Sequence, residues 1–117
     1  MSFPEDTNPQ KYAWYDSNNE VLYGTRSHSG QNKLPNAFGL FGVHGNLREW
    51  VQDFSSDDYS ADANGETDPK GPLEGDDRDT RGGYYSESRK KMRSSHREPK
   101  TETSKYVGVG IRLCADP

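Results

Sequence analysis

The sequence predicts a single α+β domain low in regular secondary structure, built of short strands joined by long loops. Three observations carry that expectation. Only sixteen of the 117 residues are Leu, Ile, Val or Phe, a share low enough to suggest disorder by composition. Against disorder stand a net charge of only −4 and thirteen aromatic side chains, each of which buries roughly 150–250 Å² when packed. The third is a run of turn-forming and aromatic residues from Pro35 to Trp50, in which Gly39, Gly42 and Gly45-Asn46 allow close turns that residues with a Cβ resist. The expected product is a small, aromatic-rich core wrapped in loops, marginal without a metal or a partner chain.

Taken in order, residues 1–11 are polar with Pro4 and Pro9 and are expected to be a flexible arm ahead of a domain over residues 12–117. Lys11 to Tyr15 suits a short extended segment. Asp16 to Glu20 reads as a turn and Val21 to Tyr23 as a second extended piece. Gly24 to Lys33 is a polar loop in which His28 is expected to be an exposed spectator. Leu47, Trp50, Val51 and Phe54 fit a helical repeat, while Trp50, Gln52 and Phe54 fit strand alternation. Ser55 to Asp79 holds nine acidic residues without EF-hand spacing and is expected to be a solvated loop. Gly82-Gly83 marks a close backbone approach or a bulge, and Ser86 to Lys105 is almost wholly polar. Tyr106 to Leu113 alternates and is expected to be the final strand, with Arg112 in a structural ion pair or hydrogen bond.

Charge is uneven. Residues 1–80 hold six basic against fifteen acidic side chains, and residues 81–117 nine against four. The basic cluster from Arg89 to Lys100 is expected to meet the acidic part or water, because an acidic whole chain repels nucleic acid at long range. Cys114 is the one cysteine, which rules out an intramolecular disulfide or a multi-cysteine metal site. No phosphate loop, zinc motif or dinucleotide fingerprint is present. His44, His96, Ser86 and Asp53 have no recognisable triad spacing, and His44, inside the Gly-Asn turn, is expected to be structural. The opening Met1-Ser2-Phe3-Pro4-Glu5-Asp6 lacks the basic start and apolar run of a signal peptide. No apolar stretch approaches the roughly 20 residues of a membrane span, so the expectation is a soluble, cytoplasmic chain with no membrane contact.

Several motifs follow one another in a recognisable order: Tyr12-Ala13-Trp14-Tyr15, Pro35-Asn36-Ala37-Phe38-Gly39-Leu40, Gly45-Asn46-Leu47-Arg48-Glu49-Trp50, Asp68-Pro69-Lys70-Gly71-Pro72, Arg81-Gly82-Gly83 and Gly110-Ile111-Arg112. Together they resemble the C-terminal half of the formylglycine-generating enzyme (sulfatase-modifying factor) family. The resemblance implies a truncated C-type-lectin-like fold with short antiparallel strands, one of them from about Glu49 to Phe54. Enzymes of that family oxidise a cysteine of a target sulfatase with molecular oxygen and a copper ion held by two cysteines. Here the matching positions are Glu87 and Met92, so no copper and no catalytic residue is expected. A calcium site of the family would fall on the carbonyls of Gly45 and Leu47 and the carboxylate of Glu49, with Gly42 where a further ligand usually stands.

The run Arg93-Ser94-Ser95-His96-Arg97 is similar to a shorter family branch that displays variable side chains on a rigid scaffold. That likeness marks Tyr84, Tyr85, Arg89, Arg93, His96 and Arg97 as candidate ligand-binding residues, of the types that dominate binding hot spots. The reading is a non-catalytic module that binds a protein or small-molecule ligand through residues 84–105. A homodimer is expected to cover surface left by the absent half-domain. The alternative is an enzyme, either an oxygen-dependent oxidoreductase relative or one half of a two-chain formylglycine-generating complex.

Overall fold

The computed structural model describes residues 8–23, 26–29, 32–57 and 71–115, with the backbone alone for residues 20–23. A 3-10 turn at Pro9–Lys11 leads to helix α1 (Asp16–Tyr23), and strand β1 runs over Arg48–Phe54. Strand β2 (Asp77–Arg81), a 3-10 turn (Arg89–Met92), β3 (Glu98–Thr101) and β4 (Val109–Gly110) complete the order. The four strands form one sheet in the order β3-β2-β1-β4. β1 is the strand that the family resemblance implies from about Glu49 to Phe54, where residue spacing alone fits helix and strand alike, and it starts one residue earlier. The expectation of antiparallel strands holds for β1–β2 and β2–β3. It fails for β4, which lies parallel to β1 with Arg48 opposite Val109 and Glu49 opposite Gly110. The sheet is therefore mixed. The final strand is also shorter than the Tyr106–Leu113 alternation suggests, because only Val109 and Gly110 find a ladder partner.

Two strands arise in segments that look like loop. β2 and β3 are polar, and they pair through backbone and side chain together: Thr80 Oγ1 donates to the Glu98 carbonyl at 2.8 Å and Thr101 Oγ1 to Asp77 Oδ1 at 2.8 Å. Pro99 sits in β3, an outer strand of the sheet, where a missing N–H is tolerated. The acidic excursion thus ends in sheet from Asp77 onward, while residues 58–70 lie outside the described residues.

The N-terminal expectations need two corrections. Residues 9–11 of the supposed arm form a 3-10 turn, started by Asn8 Oδ1 accepting from the Gln10 N–H at 3.1 Å; residues 1–7 lie outside the described residues. The supposed turn and extended piece between Asp16 and Tyr23 are one helix. Asn18, three residues after Tyr15, reaches back to accept its N–H at 2.9 Å and donates to the Ala13 carbonyl at 2.8 Å. That is half of a capping box, with Asn in place of Glu or Gln, and it turns a polar stretch into a helix start.

Among the described residues the buried set is more polar and less aromatic than composition suggests. Its buried hydrophobic residues are Ala13, Tyr15 and Met92, beside buried Asn19, His44, Arg48, Asp79 and Thr80. His44 Nδ1 donates to the Met92 carbonyl at 2.8 Å, the structural role expected of it. His28 is no exposed spectator: its ring stacks on Trp14 at 3.8 Å, and its Nε2 lies 2.7 Å from Oδ1 of fully buried Asn19. Burial, and then the charges of Arg26 and Lys33, hold the His28 pKa below the ordinary value, so the neutral ring donates to Asn19. Among the described residues no helix is long and apolar enough to cross a membrane.

Candidate functional site

The segment from Tyr84 to Arg97 links β2 to β3, and its inward-facing groups tie it to the rest of the domain. The Tyr85 N–H donates to the Asn46 carbonyl at 2.9 Å, and the Asp16 N–H to the Glu87 carbonyl at 3.0 Å. The Glu87 carboxylate binds the buried guanidinium of Arg48 and accepts from the Tyr84 N–H at 3.0 Å. Met92 drops from the 3-10 turn into the core at zero exposure. Arg48 Nη2 also reaches Glu98 at 2.6 Å, and Lys100 meets the same carboxylate at 2.8 Å. Burial alone would raise the Glu98 pKa, but the hydrogen bond from Lys100 and the charge of Arg48 outweigh it and bring it to about 2.

The six candidate ligand-binding residues divide on this frame. Arg89 and Arg93 are exposed on the 3-10 turn and just beyond it. Tyr84 and Tyr85 are half-buried and meet edge to face at 5.3 Å. His96 keeps 18% of its side chain exposed, with Nε2 3.9 Å from Glu98. Its pKa is lowered by burial first and then by Lys91 and Arg48. Arg97 points inward, pairing with buried Asp79 at 3.2 Å and donating to the Ser56 carbonyl at 2.9 Å. The surface also includes Lys90, which the sequence places in the basic cluster but does not mark as a binding residue. Only the 3-10 geometry, which sends Met92 inward and leaves Arg89 and Lys90 outside, distinguishes it from its neighbours.

Of the candidate calcium residues, Leu47 and Glu49 line a groove of about 500 Å³ with Leu40, Phe41, Gly42, Ile111 and Arg112 among others, while Gly45 is buried outside that lining, its N–H donating to the Gly82 carbonyl at 2.7 Å. Both oxygens of Glu49 are occupied by the fork of Arg112, Nε at 2.8 Å and Nη2 at 2.7 Å, and Nη2 also donates to the Phe41 carbonyl at 2.7 Å. The Glu49 pairing, with hydrogen bonding first and its charge next after burial, raises the Arg112 pKa above its already high value.

A family model described as Sulfatase-modifying factor enzyme 1-like domain matches residues 4–117. The chain belongs to this family. The formylglycine-generating enzyme of Thermomonospora curvata is 39% identical over 88 residues, covering 71% of the chain and 29% of that protein. Serine/threonine-protein kinase pkn1 of Chlamydia pneumoniae is 38% identical over 82 residues, covering 69% of the chain and 13% of that protein. The chain therefore spans less than a third of the length of these relatives. Among solved structures, Treponema denticola variable protein 1 superposes with a TM-score of 0.74 at 28% identity, over 87% of this chain and 35% of that one.

The residues of this sulfatase-modifying-factor domain do not suit the copper pair that the resemblance implies. Linear ligation of Cu(I) calls for soft thiolates; here one position is a carboxylate held by Arg48 and the other a thioether packed at zero exposure. Calcium fares little better. Ca²⁺ takes six to eight oxygens, whereas Glu49 is the one carboxylate of the proposed set, already paired with Arg112, and Gly42 has no side chain to offer. Among the described residues no three His, Cys, Asp or Glu side chains converge as metal ligands. In the sulfatase-modifying-factor domain a guanidinium thus occupies the carboxylate that a calcium ion would need. We expect Ca²⁺ and EDTA to leave the melting temperature of the protein unchanged, and Arg112→Gln to lower it in both; a Ca²⁺-dependent rise in the unsubstituted protein would contradict this.

Proposed function

We propose that the chain is a non-catalytic, sulfatase-modifying-factor-like module that binds a protein or small-molecule ligand through the surface of residues 84–105. One observation supports this most: the inward groups of the segment, Glu87, Met92 and Arg97, are spent on anchoring, so its outward groups stand on a backbone ordered in advance. Binding to such a surface loses less conformational entropy than binding to a free loop. The test is to select binders from a peptide library against the whole protein and measure them against Tyr85→Ala and Arg93→Ala. Affinity falling about tenfold in either supports the reading, a loss of roughly 1.4 kcal/mol that only a minority of interface residues give on truncation. Binders indifferent to every substitution between 84 and 105 would overturn it.

The enzyme reading is favoured by the 39% identity to a formylglycine-generating enzyme. Stoichiometric copper or iron in the purified protein, with oxygen consumption in the presence of a cysteine peptide, would establish it over the first. A homodimer is proposed from exposed apolar side chains: Phe38 at 72%, Ile111 at 75% and Leu113 at 87%. Surface of this kind marks association sites when contiguous, and a monomer by sedimentation at micromolar concentration would rule the dimer out.

A further inference from the structure

The ion pairs of the domain are unevenly shared. Glu87 and Glu98 hold Arg48, Glu98 also meets Lys100 and Lys91, Asp79 holds Arg97, Glu49 holds Arg112, and Glu102 holds Arg78. Arg89, Lys90 and Arg93 belong to none of these pairs, although all three are exposed within five consecutive residues. They are not loosely placed. Met92 between them is fully buried, the Lys91 N–H donates to the Ser88 carbonyl at 2.9 Å, and Arg93 Nε donates to the Lys90 carbonyl at 3.0 Å. Beside them Arg81 is fixed by carbonyls alone, Nη1 donating to Ser94 at 3.0 Å. Among the described residues the carboxylates of these pairs are thus taken by other cations, and an ordered outward cluster of positive charge is left.

Building on the binding-module reading above, we propose that Arg89, Lys90 and Arg93 form a docking site for a short acidic peptide. Guanidinium forks match carboxylates two bonds at a time, and exposed Ser88, Ser94 and Ser95 flank the cluster with hydroxyl groups. The same forks suit phosphate, but the rest of the chain disfavours an extended polyanion. The net charge is −4, with fifteen acidic side chains in the first 80 residues. Long-range repulsion from such a chain opposes a nucleic acid, while a peptide with a few carboxylates meets the cluster alone.

The experiment uses the whole protein, a dye-labelled Glu/Gly peptide and its Gln/Gly counterpart, read by fluorescence anisotropy at low and physiological salt. The Glu/Gly peptide is expected to bind, the Gln/Gly peptide not to bind, and the combined variant Arg89→Gln, Lys90→Gln, Arg93→Gln to lose about tenfold in affinity, as two or three exposed charge pairs would give. Because all three side chains are exposed, an unchanged melting temperature of the variant serves as the folding control. Equal binding to the variant, no binding at low salt, or tighter binding of a single-stranded oligonucleotide at matched ionic strength each overturns the proposal. Library-selected neutral peptides that need Tyr85 but not the three cations would overturn the acidic ligand and leave the binding module standing. Selected peptides that ignore all of residues 84–105 would remove both.

Discussion

Replacing Arg48 by Ala is expected to lower the unfolding free energy by about 3–5 kcal/mol, the range found when one partner of a buried ion pair is removed. Arg48 is 2% exposed, and its Nη2 serves both Glu87 and Glu98. Without it Glu87 keeps only its bond from the Tyr84 N–H, and Glu98 keeps its outer partner Lys100. Urea unfolding checks the size of the loss; a change under about 1 kcal/mol would match an exposed pair instead. Arg48→Met combined with Glu87→Gln should recover part of it, since charges removed together leave no unpaired ion. Acid provides a second readout. The Glu98 pKa lies below its unfolded value of 4.5, at about 2. A carboxylate depressed in the folded state contributes stability that is complete above pH 4.5 and is lost as pH falls toward 2. Arg48 is one cause of the depression, so Arg48→Ala should flatten the fall of stability across that window as well as lower the whole curve.

Gly45→Ala is expected to be comparably damaging, by about 3 kcal/mol or more, for two separate reasons. Gly45 has φ +70°, which costs any residue with a Cβ roughly 1–2 kcal/mol. The added methyl would also overlap the Trp14 carbonyl oxygen and approach Met92 Sδ to 3.0 Å. The oxygen belongs to the backbone and cannot swing aside, because it accepts from the Asn46 N–H at 2.9 Å. Thermal melts of Gly45→Ala and, as a milder comparison, Gly39→Ala separate the two costs. Gly39 has φ +77°, but nothing lies within 4 Å of the point where an alanine methyl would sit, so it reports the backbone cost alone. Equal losses at the two sites would contradict the crowding argument.

Where the sequence was legible, an apolar pattern or a motif with its own stereochemistry carried the information. The family motif ending in Glu49-Trp50 marks β1, which the spacing of Trp50, Gln52 and Phe54 permits beside a helix, and the Gly-Asn turn places Gly45 and Asn46 at positive φ. The motifs also identify the family, which the match over residues 4–117 bears out. What stayed hidden depends on polar groups whose partners are far along the chain. Thr80 and Asp79 are buried in β2 although they sit among acids, where the Glu98 carbonyl accepts from Thr80 and Arg97 pairs with Oδ2 of Asp79. Nothing local distinguishes those residues from a solvated loop. Likewise Arg97 resembles Arg93 in sequence, yet one anchors the surface and the other presents it. Inward and outward cations of the same chemistry separate only when the pairing is known.

The parallel union of β4 with β1 has a consequence for how the molecule assembles. The Arg48 N–H binds the Gly108 carbonyl at 2.7 Å, and Glu49 and Arg112 meet across 63 positions of sequence. Each contact of that kind must close a long stretch of chain before it returns any stabilisation. The antiparallel strands can form first from nearer segments, with β4 added by the more distant Val109 and Gly110. Until Val109 and Gly110 pair with it, the edge of β1 stands exposed and the groove beside Glu49 stays open. Completion of the sheet is then expected to follow the pairing of β1 with β2 and of β2 with β3, because it closes the longest separation along the chain.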